Sequence, residues 1–295
     1  MNYDNTTLKK LLEDIIDTIY GKNPVILKNI WDATGERNYI NSLRSQYENI
    51  LIDFNSFFES KFDNKRVLEI SSFLGVMDIA LARMGFEVHT FDIPEFQNNR
   101  TLNKLYEENN VHPSSGYLHD VWKNSLPYPD NHFDAVIFSE VIEHLNFNPL
   151  PLLQEMNRIL KQDGILYITT PNQVHLMNRL KIIMGHSIRN SITDSVIQVD
   201  NTRQTICGIH WREYTLSELT ELLEVTGFTK IHHKYSFMGQ KSTSPLLKKF
   251  FYAVCSLVYP QAADSITIIA KKKEFRPIKF WFPGEYIKYI KSNYS

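Results

Sequence analysis

The sequence predicts an α/β fold on a mostly parallel sheet, preceded by helices. Three observations predict it. Short apolar runs alternate with segments of helical period from Val67 onward, the first strand, helix and strand fit within about 30 residues, and the links are too long for simple hairpins. The first apolar run closes on small residues and a glycine, and the second closes on an aspartate.

The elements follow in order. Leu8, Leu11, Leu12, Ile15, Ile16 and Ile19 recur at helical spacing, with Glu13, Asp14 and Asp17 between them, so an amphipathic helix is expected over 8–20. A second, aromatic-rich helical segment covers about 40–60. Together they form a helical extension over 1–62 that packs on the sheet or caps a site. Val67–Ile70 is the first strand. Val76, Ile79, Ala80 and Met84 then mark one helix face that stops at Gly85, and the strand Glu87–Phe91 ends at Asp92. Further strands are expected around Tyr117–His119 and over Asp134–Ser139. A helix carrying Leu152, Leu153, Met156, Ile159 and Leu160 gives way at Asp163-Gly164 to the strand Ile165–Thr169. Residues 173–209 are polar, lack a clear period and read as an insertion or lid. Thr215-Leu216-Ser217-Glu218 is a capping box opening a helix that closes at Gly227. Strands at Thr229–Tyr235 and Ser265–Ala270 flank an apolar helix, Leu246–Val258. The main domain is thus 63–275 and the aromatic, basic tail 276–295.

Composition narrows the function. Lys and Arg number 32 against 33 Asp and Glu, so no strong field favours a polyanion, and a nucleic-acid partner is not expected. Cys207 and Cys255 cannot build a disulfide framework and read as reduced thiols of a cytoplasmic protein. No apolar signal-type run opens the chain. The longest apolar stretch, Phe250–Tyr259, is about half a membrane span, so no transmembrane segment is expected.

In an open parallel sheet, ligands bind beyond the carboxyl ends of the strands, where strand order reverses. That points to Glu69-Ile70-Ser71-Ser72-Phe73-Leu74-Gly75 and to Asp92. Backbone N–H groups of such a turn, with the helix behind it, can hold a carboxylate, and an aspartate ending the second strand can accept from two ribose hydroxyls. The stretch resembles the first motif of class I S-adenosylmethionine (SAM) dependent methyltransferases, an acidic residue before Gly-x-Gly-x-Gly. Glu69 takes the acidic position and Gly75 the last glycine, while Ser71 and Phe73 replace the first two. Serine costs little there; phenylalanine must turn away or reshape the loop. Asp120-Val121-Trp122, Leu126-Pro127-Tyr128-Pro129-Asp130, Asn157 to Gly164 and Thr170-Pro171-Asn172 match later passages of the family in order. The resemblance covers about 65–272. It implies a Rossmann-like, seven-stranded sheet, with SAM held by Glu69, Ser71, Phe73, Gly75, Asp92, Ile93, Asp120, Val121 and Ser139.

A second constellation follows the fourth strand. In Ser139-Glu140-Val141-Ile142-Glu143-His144, a helical turn would bring 140, 143 and 144 onto one face. His210, in His210-Trp211-Arg212-Glu213, is a fourth ligand candidate. Carboxylates favour Mg²⁺ or Mn²⁺, and imidazole shifts the balance toward Mn²⁺, Co²⁺ or Zn²⁺. The Glu-x-x-Glu-His set resembles that of small-RNA 3′-terminal 2′-O-methyltransferases and of ubiquinone-pathway O-methyltransferases, which implies a cation held by Glu140, Glu143, His144 and His210. Val-Ile-Glu-His-Leu also occurs in metal-free members, where acid and imidazole tie down a loop or touch substrate. His144, Glu143 and His210 are the catalytic candidates either way.

The expected reaction is O-methylation of a small-molecule or sugar hydroxyl, with a cation or histidine easing loss of its proton. Asn172, Arg179, Arg189, Arg203, Trp211 and Arg212 are acceptor-contact candidates. The rival expectations are a non-catalytic SAM-fold module that lost turnover when Ser71 and Phe73 entered, an RNA 2′-O-methyltransferase, and aminopropyl transfer. A homodimer is allowed.

Overall fold

The computed structural model describes residues 3–20, 33–121, 123–193, 209–237, 254 and 257–274. The tail from 276 lies outside the described residues, as do Trp122, Arg203, Cys207, Cys255, most of the expected helix Leu246–Val258, and the end of the expected insertion.

Seven strands form one sheet in the order β3-β2-β1-β4-β5-β7-β6. They are β1 (Arg66–Ile70), β2 (Glu87–Asp92), β3 (Val111–Ser115), β4 (Phe133–Ser139), β5 (Leu160–Pro171), β6 (Phe228–Ser236) and β7 (Ser265–Lys272). The first five pair in parallel, and β7 inserts antiparallel between β5 and β6. The helices are α1 (Asn5–Tyr20), α2 (Ala33–Phe57), α3 (Val76–Met84), α4 (Pro94–Gln97), α5 (Arg100–Glu108), α6 (Leu150–Ile159), α7 (Leu176–Ile183) and α8 (Leu216–Val225). This is the Rossmann-like α/β architecture that the alternation predicts. Strand order reverses between β1 and β4, so the loops after those strands border a crevice.

Strand periodicity explains the two cores. Ala135 and Ile137 face one layer and Val136 and Phe138 the other, because successive side chains alternate across a sheet. The first layer holds α1, α2, α3 and α5, with Leu8, Leu12, Ile15, Ile50, Leu51 and Phe54 among its buried residues. The N-terminal helices therefore pack on the sheet. The second layer holds α6 and α8, through Leu152, Met156, Leu219 and Leu223. Thr215 and Glu218 form the expected capping box of α8.

Two local expectations are corrected. The third strand is Val111–Ser115, not Tyr117–His119; residues 118–120 make a single 3₁₀ turn. Val111-His112-Pro113-Ser114-Ser115 carries a proline and little apolar content, tolerable only because β3 lies at the sheet edge. Within the expected insertion, Leu176–Ile183 is helical; its inward residue is an amide, so the usual apolar stripe is missing.

Candidate functional site

The turn after β1 keeps its backbone form although two glycines are gone. Ser71, Phe73 and Gly75 have φ of 62°, 57° and 70°, so all three former glycine positions are left-handed. Non-glycine residues rarely adopt that region, and a bulky one there marks stored strain. The ring of Phe73 is held edge-on between Tyr39 of α2, 5.3 Å between centroids, and Phe96 of α4, 5.2 Å. Gly75 cannot be replaced as Ser71 and Phe73 were. A Cβ there would lie 2.7 Å from the ring of the buried Tyr106, whose hydroxyl donates to Asp78 at 3.1 Å.

Asp92, buried at the end of β2, accepts from the Phe73 N–H at 2.8 Å and the Ile93 N–H at 2.7 Å. Each oxygen keeps a further lone pair for another donor. Burial pushes its carboxyl up to about 7. Glu69, beneath the turn, is also buried; burial first, then the Asp78 charge, hold it well above the usual carboxylate range. Glu69 Oε2 and Asp78 Oδ1 meet no other fixed donor among the described residues, and the two carboxyls lie within hydrogen-bond reach of one another, so they can share one proton. Asp92, with acceptor capacity left on both oxygens beside the turn, fits the ribose of SAM. Of the remaining expected contacts, Val121 is buried, Asp120 stands half exposed in the 3₁₀ turn, and the Ser139 hydroxyl lies 2.7 Å from that of Thr169.

Beyond β4 the chain turns sharply. Glu140 has φ 54°, and its N–H donates to the Thr169 carbonyl at 3.0 Å. A 3₁₀ turn, Ile142–His144, then replaces the helical turn expected there. Glu140 is therefore not carried onto one helical face with Glu143 and His144, although its carboxyl stays within hydrogen-bond reach of Glu143. The metal-competent group among the described residues is Glu143, His144 and His210, whose ligand atoms lie within 4.8 Å of one another. Glu140 Oε1 is buried without a hydrogen-bond partner among the described residues, and burial raises that carboxyl to about 7.

Both imidazoles are oriented by backbone or carboxylate partners. His144 Nδ1 donates to the Ile209 carbonyl at 2.9 Å, and His210 Nδ1 donates to Glu213 Oε1 at 3.0 Å. His144 Nε2 is then left to face the site, the arrangement a metal or an acidic proton needs. Glu143 is fully buried and accepts from the Thr170 hydroxyl at 3.0 Å through Oε2, leaving Oε1 unpaired and 3.9 Å from His144 Nε2. Burial lowers the pKa of His144, so this contact is not an ion pair. Burial, then the charge of Glu140, hold Glu143 well above the carboxylate range. A buried carboxyl oxygen with two imidazoles, their ligand atoms within 4.8 Å of one another, is a donor set suited to a divalent cation.

Other candidates fall elsewhere. Asn172 is fully buried and donates to the carbonyls of Gln261 and Ala263, so it braces a loop and does not meet an acceptor. Arg212 pairs with Glu218 at 3.0 Å. Thr169, Thr170 and Glu213 stand beside the cluster although the sequence does not single them out. Glu213 lies three residues after His210 in irregular chain, and that short spacing is the available signal.

The chain belongs to the methyltransferase-domain family, whose model matches residues 43–233. Fold and family together define a class I SAM-dependent methyltransferase domain. It is similar to the ubiquinone biosynthesis O-methyltransferase of Actinobacillus pleuropneumoniae, at 28% identity over 162 residues, 52% of this chain and 64% of that one. The chain spans less than two thirds of the length of the curated relatives it matches first. Among solved structures it is similar in fold to the PH0226 protein of Pyrococcus horikoshii, with TM-score 0.51, 19% identity, and coverage of 86% of this chain and 98% of that one. A SAM-dependent methyltransferase from Mesorhizobium loti gives TM-score 0.50 at 11% identity, covering 72% and 93%. No helix among the described residues is long and apolar enough to cross a membrane.

Proposed function

We propose that the protein is a cation-assisted O-methyltransferase acting on a small-molecule or sugar hydroxyl that has a second oxygen beside it. The observation carrying this reading is the Glu143, His144 and His210 cluster, whose ligand atoms lie within 4.8 Å of one another and whose rings are each held through Nδ1. The O-methyltransferase name of a 28% identical relative supports an oxygen acceptor.

Asp92 would hold the ribose of SAM, and its amino-acid end would lie over the turn after β1, near Glu69 and Ser71 to Gly75. SAM supplies a methyl group on a positively charged sulfur, already electrophilic, so the chain's task is to align a nucleophile and remove its proton. Glu143, His144 and His210 would hold Mn²⁺ or Mg²⁺, which lowers the pKa of a bound hydroxyl. Glu140, whose carboxyl burial raises to about 7, would take that proton. The O–CH₃ bond forms as the S–CH₃ bond breaks, and the proton leaves to the carboxylate. Thr170 positions Glu143, and Ile209 and Glu213 position the imidazoles.

Manganese binding to the full chain, followed by electron paramagnetic resonance, tests the site. One high-affinity ion is expected, lost in His144→Ala and His210→Ala. Methyl transfer from labelled SAM to catechols and monosaccharides should fall with EDTA and return with Mn²⁺ or Mg²⁺. Turnover indifferent to chelation would overturn the cation's role, and no calorimetric binding of S-adenosylhomocysteine would overturn the enzymatic reading.

A further inference from the structure

Helix α7 is built inside out. Its one buried residue is an amide, Asn178, which donates to the Gln173 carbonyl at 2.9 Å and to Glu213 Oε2 at 3.1 Å. Its apolar residues face outward: Met177, Leu180, Ile182, Ile183 and the following Met184 are all exposed, Ile183 to 81%. Amphipathic helices of water-soluble surfaces do the reverse. Beside α7, the Arg179 guanidinium lies 5.4 Å from the Tyr259 ring, and the neighbouring Leu257 and Val258 are exposed to 85% and 75%. The exposed apolar face thus continues from one segment to the other.

Charge identifies what this face meets. Residues 173–193 contain Arg179, Lys181 and Arg189 but no Asp or Glu, although acids and bases balance over the whole chain. Apolar side chains interleaved with Lys and Arg are what an anionic lipid interface takes up. Basic groups attract the headgroups and the projecting side chains enter the acyl boundary; either signal alone gives weak attachment.

We propose that α7 and the residues that follow it to Thr193 form a docking surface for an anionic phospholipid bilayer. The surface joins the candidate site through one relay, Asn178 to Glu213 to His210, so docking presents the mouth of the site to the membrane. The inference rests on α7 itself and stands whether or not a cation is bound.

Co-sedimentation of the full chain with phosphatidylcholine vesicles, with and without phosphatidylglycerol, tests it. Binding is expected to the mixed vesicles, weaker to the neutral ones, and reversed by salt. Arg189→Gln should lower partition about fivefold. Ile182→Ser/Ile183→Ser should lower it more than about tenfold, with the melting temperature unchanged because both side chains are exposed. Absence of binding to the mixed vesicles, or partition indifferent to Ile182→Ser/Ile183→Ser, overturns the proposal. So does a light-scattering dimer that the double substitution dissolves without any vesicle binding, since the face would then join two copies of this chain.

Discussion

The turn after β1 offers a direct test of how the domain tolerates the loss of two glycines. Ser71 and Phe73 have nearly the same left-handed φ, 62° and 57°, and a left-handed backbone costs an L-residue roughly 1–2 kcal/mol. Restoring glycine relieves that strain but adds about 0.5–1 kcal/mol of backbone entropy to be lost on folding. At Ser71 little else changes, since its N–H bond to the Phe91 carbonyl at 2.8 Å is backbone, and Ser71→Gly should be neutral or stabilising by up to about 1 kcal/mol. At Phe73 the same relief is set against two edge-on contacts with Tyr39 and Phe96, each about 0.5–1.5 kcal/mol. The partly buried ring adds about 1 kcal/mol of area. Phe73→Gly should therefore destabilise by about 2 kcal/mol net. Urea unfolding of both variants measures the difference. If Phe73→Gly proves as benign as Ser71→Gly, the aromatic contacts do not offset the strain and the reasoning fails. A loss above about 1 kcal/mol in Ser71→Gly would show that its side chain stabilises the turn.

Three further outcomes follow from the site. Gly75→Ala should cost at least about 2 kcal/mol in thermal or urea unfolding, because a Cβ at φ +70° meets the buried Tyr106 ring at 2.7 Å; an unchanged melting temperature would contradict this. Glu213→Gln should weaken manganese affinity about 10–100-fold with little change in stability, read by paramagnetic titration, because it removes the carboxylate orienting His210. For Asp92 the sign is set by a folded pKa raised to about 7 from the model-peptide value of 3.8: its contribution favours the fold at low pH and is lost as pH rises from about 4 through about 7. Asp92→Asn should thus stabilise the free protein more at pH 8 than at pH 4. Wild-type affinity for S-adenosylhomocysteine, followed by calorimetry, should rise through about pH 7 as the carboxylate ionises to accept from ribose; a flat profile would sink that role.

The sheet was legible because its interior strands are dense in apolar residues and its turns carry strong punctuation. Asp163, Gly85 and Gly227 stand at left-handed positions, and Thr215-x-x-Glu218 caps a helix as its spacing requires. The edge strand β3 was not legible, because Val111 is its one buried residue and Pro113 breaks the usual signal. Helix α7 was hidden for the opposite reason: an apolar stripe is read as facing inward, and here the inward residue is Asn178.

Glu140 shows where reading by spacing stops. A helical turn would place it with Glu143 and His144, but the backbone takes φ 54° at Glu140 and delays the turn until Ile142. That reversal costs strain in a non-glycine residue. It lets the Glu140 N–H bond to Thr169 while Glu143 reaches Thr170, so two adjacent threonines of β5 fix two carboxylates in different roles. Had the helical turn formed, three ligands would crowd one face and no unligated acid would remain beside them. On the proposed reading, Glu143, His144 and His210 would gather oxygens or a cation, and Glu140, half-buried with its carboxyl raised to about 7, would accept a proton beside them. Two like carboxyls at one site are driven to different pKa values by burial and by each other, which is how acid and base roles divide. Glu140→Gln should accordingly lower turnover while sparing manganese binding, and Glu143→Gln should abolish both; equal loss of metal in the two variants would return Glu140 to the ligand set.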